Sequence, residues 1–84
     1  MNLFTLQVYT REALVLDEQV VSIIVAAQSG YLGVMARHAP LVAVLGEGLL
    51  LVKKDGLERI WRLAGGILEV RDNVATILAD ELSE

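Results

Sequence analysis

Turn-forming residues interrupt this chain roughly every 8–12 positions, a spacing that suits short strands and leaves little room for long helices. Between the turns the residues are apolar and often β-branched. Leu6 and Val8 alternate with Thr5, Gln7 and Tyr9, which predicts a half-buried strand. Residues 14–16 read as a short strand ended by Asp17-Glu18. Val20, Val21, Ile23, Ile24 and Val25 favour a further strand, broken by Gln28-Ser29-Gly30. Residues 31–35 read as another. Pro40 has no N–H to donate and belongs at an edge or a strand start. Residues 41–45 fit an apolar helical turn by pattern, but Gly46 and Gly48 bracket them too tightly for a stable helix. Residues 49–54 form a strand leading into the hairpin turn Lys54-Asp55-Gly56, where Asp-Gly supplies positive φ. Segments 58–63, 67–70 and 74–78 complete the set. Gly65-Gly66 permits a bulge or a close backbone approach, Asp72-Asn73 a turn, and residues 79–84 an acidic tail. The pattern predicts a small all-β domain, a sandwich or barrel.

Eighty-four residues make one domain, residues 1–84. A chain of this length buries only about 60–65% of the surface its unfolded form exposes. Yet 55% of its residues are apolar, more than a small core hides, and the surplus predicts a buried interface. The net charge is −4 and the basic residues are scattered, so no cluster tracks a phosphate backbone and no nucleic-acid partner is expected. The chain has no cysteine, which removes disulfides and thiolate metal sites. Residues 1–5 carry neither a charged leader nor an apolar run, so no signal peptide is expected. Apolar stretches such as 23–27 and 49–52 fall far short of the ~20 residues a membrane helix needs.

His38 is the one residue with an enzymatic look, since an imidazole supplies a base near neutral pH. A base needs a nucleophile, an orienting group or a metal beside it. Ser22, Ser29 and Ser83 are scattered, and no carboxylate in that segment completes a triad. Gly30 and Gly33 open no helix and match neither a Walker loop nor a dinucleotide fingerprint, so they read as turn glycines. The carboxylates at Asp17, Glu18, Asp72, Asp80, Glu81 and Glu84 read as solvated charges. Trp61 reads as a core or interface aromatic.

Gly30-Tyr31-Leu32-Gly33-Val34-Met35-Ala36-Arg37-His38-Ala39-Pro40-Leu41 gathers two glycines, the only proline and the only histidine into one segment. Downstream come Gly65-Gly66-Ile67-Leu68-Glu69-Val70 and then Asn73-Val74-Ala75-Thr76-Ile77-Leu78-Ala79-Asp80. In this order and spacing they resemble the N-terminal β-sandwich of the epsilon subunit (delta in mitochondria) of F-type ATP synthases, over residues 4–80. The resemblance implies an all-β fold, a flattened sandwich or barrel of about ten short strands. It implies a non-catalytic subunit of the rotating central stalk that binds the gamma subunit and the c-subunit ring. Such a subunit couples ion translocation to ATP synthesis from the cytoplasmic side of the bacterial plasma membrane, as a peripheral part of the complex. No cofactor and no metal are expected.

By the same resemblance Thr10, His38 and Val42 face gamma, and Gly30, Tyr31 and Leu32 face the c ring. Gly33, Ala39, Pro40, Gly65 and Gly66 determine turns of the fold. Ala36 stands where the family usually has proline, and Tyr31 where an acid is common, so a ring contact there would rest on stacking or a hydroxyl bond. The family's helical hairpin is missing after Glu84, so no ATP binding is expected. Two readings of other classes stay open: a small enzyme using His38, and a free-standing homo-oligomeric β module.

Overall fold

The computed structural model describes residues 2–84. Seven strands follow one another: β1 (Phe4–Tyr9), β2 (Leu14–Val20), β3 (Ser22–Ala27), β4 (Gly30–Met35), β5 (Leu41–Lys54), β6 (Leu57–Arg71) and β7 (Val74–Ser83). They form one sheet in the order β2-β1-β7-β6-β5-β3-β4, with β1 and β7 parallel and the other neighbours antiparallel. The all-β reading holds, and the strands are seven rather than about ten because three of them are long. β5, β6 and β7 each run through a bend and contribute to both layers of the folded sheet.

That bend has a sequence cause. The β5–β6 ladder skips Gly46 and Gly65, and the β6–β7 ladder skips Gly65 and Asp80. The skipped residues stand opposite one another, so the pairing register is the same on both sides of them, yet the inward positions change parity across the bend. On β6 the buried residues are Trp61 and Leu63 before the bend, Leu68 and Val70 after it; on β5 they are Leu45, then Leu50 and Val52. Gly65 (φ 76°) and Gly66 (φ 133°) take backbone conformations that disfavour a side chain. A Cβ on Gly66 would collide with the carbonyl oxygen of Leu78, and one on Gly65 would lie 2.6 Å from Asp80 Oδ2. The close approach expected at this pair is therefore to β7.

Two further boundaries differ from the sequence reading. β2 does not end at Asp17-Glu18 but continues to Val20, because residues 18–20 pair with Leu6, Thr5 and Phe4 of β1 and Val20 is buried. Cations across the fold meet the charge of Glu18. Lys54 Nζ lies 3.3 Å and Arg59 Nη1 3.8 Å from its carboxylate. Residues 79–83 are not a tail but the end of β7, paired with residues 62–66 of β6. Val21 alone separates β2 from β3, and its N–H donates to the Lys53 carbonyl at 2.8 Å. The chain thus turns from one end of the sheet to the other in one residue, and the sheet folds over a single core.

Phe4, Leu6, Val8, Val20, Ile77 and Leu68 of one layer and Ile23, Val25, Val34, Leu50 and Leu63 of the other share that core. Among the described residues no polar or charged side chain is a buried core member. Trp61 is 8% exposed, lies under the Arg59 guanidinium at 5.0 Å, and its Nε1–H has no acceptor.

Candidate docking surfaces

Paired residues of neighbouring strands share a face, so the registers define rows across the sheet. One row runs Val44, Ile67, Leu78, Tyr9, Leu14 over five strands. All five side chains point away from the core. Val44 and Leu78 are 53% exposed, Ile67 and Leu14 44%. Five contiguous outward apolar residues are what the compositional surplus predicted. The next row, Val42, Glu69, Thr76, Gln7, Asp17, is mixed, and Val42 is 70% exposed. A third row, Arg71, Val74, Thr5, Gln19, is polar, with Gln19 Nε2 donating to Thr5 Oγ1 at 2.6 Å. The face therefore grades from apolar to polar along β1.

Thr10 caps the apolar end. Its N–H donates to the Ala13 carbonyl at 2.9 Å in the β1–β2 turn. It borders an open groove of about 1330 Å³ along the bend, with Glu12, Glu47, Arg62, Asp80 and Glu81 on its walls. His38 belongs to the turn before β5, beyond the polar row. Its N–H donates to the Met35 carbonyl at 3.2 Å, and Nδ1–H donates to the Ala39 carbonyl at 2.7 Å. Thr10 and Thr5 are five extended residues apart, about 17 Å. Thr10 thus stands at the apolar end of the face and Val42 in its mixed row, while His38 lies in the turn that precedes β5.

Gly30, Tyr31 and Leu32 open β4, and with Gln28, Val42 and Val44 they line a second groove of about 430 Å³. The groove follows the part of β5 that β3 does not cover, since β3 meets β5 only from Leu45 onward. Gln28 N–H bridges the gap to the Val44 carbonyl at 3.0 Å. Tyr31 is 58% exposed, yet its hydroxyl accepts the Leu49 N–H at 3.0 Å. The ring reaches Leu49 because Gly48 carries no side chain: a Cβ there would come 2.7 Å from the Tyr31 hydroxyl. The structure thus brings the Gly30–Leu32 segment and Val42 to one groove, and it leaves Thr10 remote from both. Of the turn residues, Gly33 lies inside β4 opposite Ile24, and Ala39-Pro40 lead directly into β5.

Among the described residues no group of three or more His, Cys, Asp or Glu side chains converges as a metal site. A smaller apolar row, Ile24, Leu51, Ile60, faces outward on the other layer. Neither row was recognised in the sequence as a surface. Alternation marks Val42, Val44, Ile67 and Leu78 as belonging to strands, and only the register brings them together.

The sequence profile of the family described as ATP synthase, Delta/Epsilon chain, beta-sandwich domain matches residues 3–84. The ATP synthase epsilon chain of Caldicellulosiruptor bescii is 43% identical over 77 residues, covering 92% of this chain and 56% of that one. The epsilon chain of Leptospira interrogans serovar copenhageni is 35% identical over 79 residues, covering 94% and 62%. The chain spans about 56–62% of the length of these relatives. A chain in the Euglena gracilis mitochondrial ATP synthase structure of OSCP, F1 and c-ring superposes with a TM-score of 0.91 at 27% identity, covering 98% of this chain and 53% of that one. One in the Tetrahymena thermophila mitochondrial ATP synthase central stalk and c-ring superposes at 0.83 with 17% identity, covering 95% and 65%, a likeness of fold. With the bent seven-stranded sheet and its glycine pair in place, the chain belongs to the beta-sandwich domain family of ATP synthase delta/epsilon chains.

Proposed function

We propose that this chain acts in the central stalk of an F-type ATP synthase, as a non-catalytic rotor part that binds the gamma subunit and the c ring. In this role it helps couple ion translocation to ATP synthesis, at the cytoplasmic side of the bacterial plasma membrane. The observation that carries the reading is the outward apolar row Val44–Ile67–Leu78–Tyr9–Leu14, joined to membership of a family whose relatives are named ATP synthase epsilon chains. An apolar stripe of this extent, rimmed by polar rows, fits a protein partner. Thr10 and Val42 lie on that face, and with His38 of the turn before β5 they are the residues assigned to gamma. Gly30, Tyr31 and Leu32, on the groove beside β5, are assigned to the c ring.

Rigidity suits such a part. The face rests on a close-packed core, and its three middle strands, β1, β7 and β6, are held by ladder bonds on both sides. Leu78→Glu tests the reading. The residue is half exposed, so the fold tolerates the charge and the melting temperature stays within about 4 °C of wild type. The charge sits in the middle of the apolar row, and binding to gamma, measured by co-purification and by titration, falls at least about tenfold. Gamma binding undiminished in Leu78→Glu, or none by the wild-type chain, overturns the reading.

A further inference from the structure

The His38 turn is held to the rest of the molecule by few bonds. Its internal bonds, His38 N–H to Met35 and Nδ1–H to Ala39, are local. Arg37 carries the outward ones. It adopts φ 62°, a left-handed conformation disfavoured for a residue with a Cβ. Its N–H donates to Asn73 Oδ1 at 2.8 Å, and its guanidinium Nη2 donates to Asn2 Oδ1 at 3.0 Å. Asn73 in turn donates from Nδ2 to the Leu3 carbonyl at 2.9 Å, and its own carbonyl accepts the Thr5 N–H at 3.1 Å. One asparagine therefore ties three segments: the start of the chain, the His38 turn and the β6–β7 turn that contains it.

We propose that Asn73 is a positioning residue for the docking face. By holding the Arg37 N–H it fixes where the His38 turn stands relative to the apolar row. The proposal rests on the reading that this turn meets gamma. A turn already in place spares the ordering that association otherwise requires. Without the bond, Arg37 loses the anchor of an unfavourable conformation and the turn samples others. Apparent affinity then falls with the fraction of molecules that keep the docking arrangement.

Three variants of the full chain test this. Asn73→Gly keeps the positive φ and removes both side-chain bonds. Asn73→Asp keeps the acceptor for Arg37 and loses the donor to Leu3. Val52→Ala makes a buried cavity in the other layer, away from the turn. Amide exchange at Arg37, gamma binding and melting temperature are measured for each. Asn73→Gly speeds Arg37 exchange and weakens gamma binding, each by about three- to tenfold. Asn73→Asp keeps Arg37 protected and binds within about twofold of wild type. Val52→Ala melts lower and binds unchanged.

The proposal is overturned if Asn73→Gly binds as wild type does. It is equally overturned if Asp fails to rescue, or if Val52→Ala loses as much affinity at an equal fall in melting temperature. A wild-type chain that does not bind gamma overturns the functional reading and this proposal together, whereas a wild-type chain that binds gamma no better than Asn73→Gly does overturns this proposal alone.

Discussion

Gly66 and Gly30 both have positive φ, yet only one of them is boxed in. Around Gly30 no atom lies within 4 Å of a built Cβ, whereas at Gly66 the Leu78 carbonyl oxygen occupies the place. Gly30→Ala therefore meets only the backbone preference at φ 126°, about 1–3 kcal/mol. Gly66→Ala adds a backbone collision that no rotamer relieves, and the loss exceeds about 3 kcal/mol. Thermal melts separate the two, with Gly66→Ala lower by more than about 10 °C. The need for a glycine pair here is readable in the sequence, because two glycines inside an apolar strand signal a close approach. What approaches is not readable, since Leu78 and Asp80 lie on another strand. Asn73 has the same character. An Asp-Asn pair announces a turn, but the atoms its amide holds are 36 and 70 residues away along the chain. At Tyr31, where stacking or a hydroxyl bond is expected to serve a partner, the oxygen accepts the Leu49 N–H, which leaves the O–H to donate and the residue 58% exposed.

Among the strands, the legible ones obey a single period. β1 reads correctly because its alternation is unbroken from Phe4 to Tyr9. β5 and β6 break up in the sequence because their inward positions change parity around Gly46 and Gly65 while their pairing register runs on, and a change of parity looks like an ending. β2 reads as ending at Asp17-Glu18 because charges favour turns. Here Glu18 is instead drawn to Lys54 and Arg59 across the fold, partly exposed contacts worth about 1 kcal/mol or less. Trp61 on β6 was legible as a core or interface aromatic, and it is a core one. Its indole N–H has no acceptor, which costs about 1–3 kcal/mol relative to a satisfied donor. Trp61→Phe removes that donor along with some packing, so it changes stability by no more than about 1 kcal/mol. Trp61→Ala empties the site and loses about 3–5 kcal/mol. Urea titration of the two variants checks the difference.

At the scale of the molecule, composition announced a surplus of apolar residues without saying where it goes. The row from Val44 to Leu14 joins five strands whose order, β2-β1-β7-β6-β5, no local pattern encodes. The parallel β1–β7 pair is the step that brings Tyr9 beside Leu78. Resemblance to a known family carried the fold class further than periodicity did. It assigns Thr10, His38 and Val42 to a partner without indicating the apolar row that Thr10 caps. The two layers share one core and three strands, so neither is an independent unit. Unfolding in urea followed by Trp61 fluorescence and by far-ultraviolet circular dichroism therefore gives coincident transitions with the same midpoint.

Three neighbouring strands pass from one layer into the other without a loop between. A sandwich of two separate sheets resists sliding only through side chains in contact, which slip past one another under load. In this molecule each layer is pulled along by the other through continuous polypeptide at Gly46, Gly65 and Asp80. A twist applied to one outer surface arrives at the opposite one as tension in covalent bonds, with little lost to play between the halves.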